Sequence, residues 1–331
     1  MNVLVVGGAG YIGSHMVRLL AADGHVPIVL DNLSTGFRQA VTAGELIVGE
    51  MSDRAMVTQV LGDHKIDAVM HFAACALVGE SVIDPAKYYV NNISATIELL
   101  EAMRAVDVKR IVFSSTCATY GEPEVVPINE QTPQQPVNPY GFTKLAIERA
   151  LSDYATAYDF GYAALRYFNA AGASPDGGIG EDHDPESHLI PIVLQTALGQ
   201  RDHVTIYGSD WNTPDGTCVR DYIHVDDLGS AHLAALERLE LGKGLCVNLG
   251  TGNGFSVRQI IEACRAVTGH DIPAIEGERR PGDPPELVAD ASLAREKLGW
   301  TPKYTHPEQI IATAWAWHSA NPSGYQKATA V

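Results

Sequence analysis

A short apolar run, Val3-Leu4-Val5-Val6, passes directly into Gly7-Gly8-Ala9-Gly10-Tyr11-Ile12-Gly13 and then into a helical pattern over Tyr11–Ala22. That junction constrains the fold more than any other feature of the chain. In the spacing G-x-x-G-x-x-G, Gly7 permits a tight turn, Gly10 lets backbone approach a pyrophosphate, and Gly13 lets the helix pack close to the strand. The helix start then offers free N–H groups and a positive dipole end to phosphates. Asp31 ends the second strand pattern, Val26–Leu30, eighteen residues beyond Gly13. A carboxylate there accepts hydrogen bonds from the adenosine ribose hydroxyls and repels a 2′-phosphate. The spacing therefore predicts NAD rather than NADP.

The alternation continues. Strand patterns at Val3–Val6, Val26–Leu30, Ala68–Phe72, Arg110–Ser114 and Ala163–Tyr167 are separated by helical patterns at Tyr11–Ala22, Met56–His64, Tyr88–Ala105 and Tyr140–Tyr158. Strands joined by helices of this length form right-handed βαβ units, which predicts an α/β fold with a Rossmann-type doubly wound parallel sheet. The length of 331 residues suggests a second, smaller domain of mixed α/β character for substrate. Residues 1–170 are expected to form the nucleotide domain, with the chain returning to it at about 222–250 through the strand Val247-Asn248-Leu249-Gly250. Residues 171–221 and 251–331 are left for the second domain. Residues 171–187 lack periodicity and read as a long loop of the kind that serves function. From Ser256 onward the pattern is helical, with a last helix near Pro307–His318.

Composition narrows the partners. The chain has 23 basic and 40 acidic residues, a formal net charge of -17, which repels phosphate backbones and anionic lipid surfaces. Nucleic acid and membranes are not expected as partners, and any anionic substrate must be held by local arginines. The five cysteines, at 75, 117, 218, 246 and 264, are scattered and form no CxxC pair, so neither disulfides nor a metal site is expected. The N-terminus runs straight into strand and glycines, with no signal-peptide pattern. No apolar run reaches the roughly 18 residues that span a bilayer, and a cytoplasmic protein is expected.

Chemistry is predicted at Tyr140-Gly141-Phe142-Thr143-Lys144, whose Tyr and Lys share a helix face. A tyrosine with a pKa near ~10 is a poor base at neutral pH, and a neighbouring ammonium lowers that value. The lysine is also placed to hydrogen-bond a nicotinamide ribose. Ser114-Ser115-Thr116 closes a strand pattern upstream, and hydroxyls at the carboxyl end of a parallel strand face the ligand crevice. Thr116 would then share a substrate hydroxyl's proton with Tyr140.

Together with His71-Phe72-Ala73-Ala74 and Arg166-Tyr167-Phe168-Asn169, these motifs resemble the extended short-chain dehydrogenase/reductase family. Val78-Gly79-Glu80-Ser81, Tyr88-Tyr89-Val90-Asn91-Asn92, Asp215–His224 and Asn248-Leu249-Gly250 narrow the resemblance to its branch of 4-epimerases acting on UDP-hexoses. The similarity runs from Met1 to about Trp317. It implies that Tyr140 takes the proton from the sugar 4-hydroxyl while NAD accepts hydride from C4, with Thr116 and Lys144 assisting. The 4-keto sugar then turns over about its diphosphate link and C4 is inverted. By the same resemblance the cofactor would contact Gly7, Gly10, Tyr11, Ile12, Gly13, Asp31, Asn32, Glu50, Met51, Phe72, Ala73, Ala74, Asn91, Ser114, Tyr140, Lys144 and Tyr167. Arg220 and Arg280 would pair with the diphosphate, Asn169 would add an amide donor, and Asp283 would hold the uridine ribose. Thr205-Ile206-Tyr207 would flank the uracil, and His188, Leu189 and Leu287 would complete the substrate side. A homodimer through the helices at Tyr88–Ala105 and Tyr140–Tyr158 is implied as well.

Departures from the family pattern bear on specificity. Glu50 replaces an aspartate near the adenine, Ala76 replaces a lysine or serine near the phosphates, and His188 replaces an asparagine. Leu287 stands where a bulky tyrosine restricts some relatives to plain hexoses, so an N-acetyl group is expected to fit. Three other readings remain. A 4,6-dehydratase would need an Asp-Glu pair after Thr116, where this chain has Cys117 and Ala118, which cannot transfer those protons. A non-catalytic NAD sensor would be expected to lose Tyr140 or Lys144. Epimerases of UDP-pentoses or UDP-uronates are not separated by these motifs.

Overall fold

The computed structural model describes residues 1–280 and 282–325. The expected second domain's last six residues, 326–331, lie outside these. The first half runs β1 (Asn2–Val6), α1 (Tyr11–Ala22), β2 (Val26–Asp31), β3 (Glu45–Val48), α2 (Arg54–Asp63) and β4 (Ala68–His71). It continues through α3 (Val78–Ile83), α4 (Pro85–Tyr88), a π-helical stretch (Tyr89–Ser94), α5 (Ala95–Ala105), β5 (Arg110–Thr116), α6 (Pro139–Tyr158) and β6 (Gly161–Tyr167). These strands, joined by one returning later, form a seven-stranded sheet in which every pairing is parallel.

Strands of such a sheet are covered on both faces, which explains their unbroken apolar runs. Val3, Leu4 and Val5 are fully buried although they point alternately to opposite sides. One face packs against α2, α5 and α6 through Leu61, Leu99, Met103, Ile147 and Leu151. The other packs against α1 through Met16, Val17 and Leu20. Each such side chain contributes roughly 1.5–3 kcal/mol by leaving water.

The remaining elements are β7 (Asn169–Ala171), α7 (Leu189–Ala197), β8 (Val204–Tyr207), β9 (Val219–His224), α8 (Val225–Glu237) and β10 (Gly244–Leu249). After them come β11 (Gly254–Ser256), α9 (Val257–Thr268), β12 (Ala274–Gly277), β13 (Glu286–Leu287), α10 (Ser292–Leu298) and α11 (Pro307–Ala320). β10 joins the sheet beside β6, giving the order β3-β2-β1-β4-β5-β6-β10. β9 lies between β11 and β13 with β7 also paired to it, and β8 pairs with β12. These short strands with α7, α9 and α11 enclose a separate core around Val193, Ile260 and Ile311.

Two expectations are corrected. The segment after Ser256 is not purely helical, because β12 and β13 interrupt it. And 291–300, expected in the second domain, packs on the large sheet: Ala291, Ala294, Leu298 and Trp300 join the core beneath α1, and the Trp300 indole donates to the Asp227 carbonyl at 3.0 Å.

Candidate active site

The strand order reverses between β1 and β4, and at such a switch point the carboxyl ends of the strands open into a crevice. Gly7 closes β1 with φ +80°, a left-handed conformation, and a Cβ there would lie 2.5 Å from the Ala73 nitrogen. A Cβ on Gly13 would lie 2.2 Å from the Gly7 carbonyl oxygen, so the first turn of α1 rests directly on the glycine turn. Gly10 has only that carbonyl nearby, at 3.4 Å, which leaves its outer side open. Phe72 and Ala73 donate their N–H groups to the Val6 carbonyl, which holds the β4 end against this turn. A cradle too tight for Cβ atoms inside and open outside fits a pyrophosphate on the helix start.

Asp31 is buried at the end of β2, where its carboxylate accepts from Ala9 N at 2.9 Å and Leu33 N at 2.8 Å. Burial raises its pKa, and the two backbone donors hold it down. Asn32 donates to exposed Glu50 at 3.1 Å, so these two residues lie together beside Asp31. Met51, by contrast, is a core residue under β2. Tyr11 donates to the Gly172 carbonyl at 2.7 Å, tying the nucleotide turn to the long loop after β7. Ile12 packs on the core beneath α1.

The second half of the site grows from β5 and α6. Asn138 caps α6 by accepting from Gly141 N at 2.8 Å, and Pro139 sets the first turn. Tyr140 and Lys144 follow one turn apart. Lys144 is buried and donates to the Ser114 carbonyl at 2.7 Å, with its ammonium 5.9 Å from the centre of the Tyr140 ring. Thr116 lies close enough to the Tyr140 phenol to oppose its upward shift, and the Ser114 hydroxyl is hydrogen-bonded to Tyr167. Sequence separations of tens of residues thus collapse into one cluster at the ends of β5 and β6.

Its electrostatics differ from the simple expectation. Burial pushes the Tyr140 phenol up to about 12, opposed by the Thr116 hydrogen bond, and pushes Lys144 down to about 7, opposed by Glu148. The ammonium alone does not depress the tyrosine, because desolvation of a phenolate outweighs a charge held at this distance.

Behind the cluster lies a buried polar network that the sequence did not single out. Glu148, one turn beyond Lys144, accepts from Ser115 at 2.5 Å and receives both ends of the Arg166 guanidinium at 2.9 and 2.7 Å. Arg166 also donates to Tyr120, which donates to Asn248 on β10. On the other flank, fully buried Asn92 of the π-helical stretch bonds both backbone groups of Cys75 and the Thr143 hydroxyl. Neighbouring Asn91, the expected contact residue, is only partly buried and donates to Asn92. Their signal was present in Asn91-Asn92 and Arg166, but type alone did not reveal which pair.

Across the crevice, Arg220 on β9 lies beside Leu287 in the β9–β13 register, with its guanidinium 3.9 Å from Asp283. Leu287 packs against the cluster containing Cys117 and Phe168, next door to Thr116 and Asn169. Arg280 stacks 3.7 Å from the centre of the exposed Tyr207 ring. The period of two along β8 turns the Ile206 side chain into the core with Val204, so that of the three residues expected beside the base Thr205 and Tyr207 present their side chains outward. Leu189 likewise packs on that core. His188 directs Nδ1 to Glu181, 2.7 Å away, a use its sequence position did not suggest.

A glycine cradle, a buried acid at the β2 end and a Tyr–Lys–Thr cluster define an enzyme of nucleotide-dependent redox type. Residues 3–250 match the NAD dependent epimerase/dehydratase family, and the chain belongs to it. It is 54% identical over 326 residues to UDP-glucose 4-epimerase of Halalkalibacterium halodurans, covering 98% of each chain. The solved UDP-glucose 4-epimerase of Brucella ovis in complex with NAD superposes with a TM-score of 0.92 at 52% identity, covering 95% of this chain and 97% of that one. The enzyme of Bifidobacterium longum, in complex with NAD+ and UDP, superposes with a TM-score of 0.94 at 38% identity over 98% and 100% of the chains.

Proposed function

We propose that this chain interconverts UDP-glucose and UDP-galactose by transient oxidation at C4, with NAD retained from one turnover to the next. The observation that carries this reading is the meeting of Thr116, Tyr140 and Lys144 at the open ends of β5 and α6, facing Leu287 and Arg220. NAD, when bound, supplies a reversible hydride acceptor and a positive nicotinamide ring. The Gly7–Gly13 cradle would hold its pyrophosphate, Asp31 with Asn32 and Glu50 the adenosine end, and Lys144 the nicotinamide ribose. Phe72, Ala73, Ala74, Ser114 and Tyr167 wall the crevice.

Tyr140, as phenolate, accepts the 4-hydroxyl proton at its phenol oxygen. Thr116 donates to or accepts from the same sugar oxygen, beside the phenol whose upward shift it opposes. With burial holding the phenol near 12 and the lysine near 7, the resting site keeps Tyr140 protonated, and the positive nicotinamide ring of bound NAD would supply the charge that ionises it. Arg220 and Arg280 grip the diphosphate, while Thr205 and Tyr207 flank the base. The sugar itself meets the apolar Leu287, which leaves the 4-keto ring room to turn over, so that hydride would return to the opposite face of C4 while Tyr140 gives the proton back to the 4-oxygen. The same side chain leaves room for an N-acetyl group, so UDP-N-acetylhexosamines are proposed as additional substrates.

We further assign residues 1–170 and about 222–250, with 291–300, to the nucleotide-binding domain and the rest to a UDP-sugar-binding domain. A homodimer, a cytoplasmic location consistent with five free cysteines, and a place in galactose metabolism complete the reading. Among the described residues no helix is long and apolar enough to cross a membrane.

The test is conversion of UDP-galactose by purified protein without added NAD. Tyr140→Phe should lower kcat by roughly 10²–10⁴-fold and still bind NAD. A kcat within tenfold of the unaltered protein's sinks the assignment. UDP-N-acetylglucosamine in the same assay, with no turnover above background, removes the wider specificity; if it is turned over, Leu287→Tyr should abolish that activity selectively.

A further inference from the structure

The long loop between β7 and α7 carries Glu181, His183, Glu186 and His188, and one ligand atom from each lies within 4.8 Å of the others. We propose that these four side chains form a binding site for a divalent transition metal of the zinc class, which pins this loop beneath the nucleotide turn.

The pattern is Glu-x-His-x-x-Glu-x-His in an aperiodic loop, a spacing that matches no common metal signature of helix or zinc-finger type. The distances suit a four-coordinate ion. The His188 and His183 Nδ1 atoms lie 2.7 and 3.2 Å from Glu181 Oε1. They lie 3.4 and 3.8 Å from the two oxygens of Glu186. A tetrahedral zinc with ordinary Zn–N and Zn–O bonds has ligand-to-ligand edges of about 3.3 Å, inside that range.

A second observation separates a metal cage from an ion-pair knot. The Glu181 side chain is only 3% exposed, yet its Oε1 makes no hydrogen bond, and neither does His183 Nδ1. Four polar atoms crowd one point without aligning on one another. Buried polar atoms that stay unbonded are costly, about 1–3 kcal/mol each, and a shared cation removes that cost for Glu181 Oε1 and His183 Nδ1 together. Two carboxylates and two neutral imidazoles also balance a 2+ charge. Imidazole nitrogens favour zinc-class ions over magnesium or calcium, which prefer oxygen alone.

Four protein ligands leave no open coordination position, so the role is structural. Its reach is set by Tyr11, whose hydroxyl holds Gly172 at the loop's start and whose ring meets His183 edge-on at 6.1 Å. A cavity of about 360 Å³ lined by Glu181, His183, Glu186 and Gln195 offers an entry path.

The experiment uses the full chain without a polyhistidine tag, grown with zinc and dialysed against metal-free buffer. Mass spectrometry of the metal content should find about one zinc per chain. Chelation should lower Tm, with zinc but not magnesium restoring it, and Co(II) in its place should give the visible bands of a tetrahedral centre. His183→Ala/His188→Ala should lose the metal. Substoichiometric zinc with no thermal response to added zinc overturns the proposal, as does a double variant that keeps a full equivalent. If that variant does not fold, the Co(II) spectrum of the unaltered protein decides.

Discussion

Thr116 occupies the last position of β5, and its hydroxyl has two tasks: it accepts from Ala118 N at 3.1 Å and meets Tyr140. A hydrogen bond to a group that becomes charged is worth about 1.5–3 kcal/mol, which converts to roughly ten- to hundredfold in rate. Thr116→Val should therefore lower kcat by that factor, and Thr116→Ser should recover most of it; steady-state kinetics on UDP-galactose reads both. A second residue-scale effect concerns stability. Burial pushes His71 to about 3 and His232 to about 4, and His232 is fully enclosed against Phe72 and Tyr167. Unfolded, each titrates near ~6.5, so as pH falls below that value the unfolded chain binds protons the native chain refuses. Stability is fully present above pH ~6.5 and declines towards the folded values, by about 1.4 kcal/mol per pH unit for each histidine. Urea unfolding from pH 7.5 to 5 should show a shallower decline in His232→Gln by about that slope, and an unchanged slope refutes it.

At the scale of elements, what the sequence could reveal depended on whether the deciding contact was local. The glycine turn, Asp31 and the Tyr140–Lys144 pair were legible because strand, turn and helix geometry fix them within a few residues. The burial of the Ile206 side chain was not legible, since a four-residue strand has two faces and only its packing on the core around Val193 and Ile260 settles which one is inside. The single helix expected over Tyr88–Ala105 is broken by the π-helical stretch at Tyr89–Ser94, which turns Asn92 inward to hold Cys75. Such a bulge has no propensity signature and is a frequent mark of functional segments. Glu148 was invisible for a similar reason: nothing on α6 shows that Arg166, on β6, will face it. This pair joins helix to sheet directly behind Lys144, with the two side chains only 6% and 5% exposed. Removing one partner leaves a buried charge uncompensated, so Glu148→Gln should cost about 3–5 kcal/mol by urea unfolding. A loss within 1 kcal/mol of zero, read in the same experiment, would show that solvent reaches the pair.

For the whole molecule, the question is what covers the apolar residues that the fold leaves outside. Val82, Ile83 and Val90 are 63%, 86% and 65% exposed, and Tyr89 and Phe142 meet ring to ring at 6.0 Å beside them. They come from α3, the π-helical stretch and the first turn of α6, so they form one face next to the helix that carries Tyr140 and Lys144. A monomer with net charge -17 has ample polar surface elsewhere, and large exposed apolar patches of this kind mark association sites. In a twofold dimer the same face meets its own copy, and the apolar side chains of each chain fill the gaps of the other. The proposed dimer would thus brace the start of α6 from outside while the Glu148–Arg166 pair braces it from within. Val90→Asp with Phe142→Asp places charges at the centre of that face, where each would be buried without a partner. Sedimentation velocity should then show a dimer for the unaltered chain and a monomer for the double variant, with Tm lowered at equal protein concentration. A monomeric unaltered protein at micromolar concentration, or a double variant that still sediments as a dimer, would remove this face from consideration as the interface.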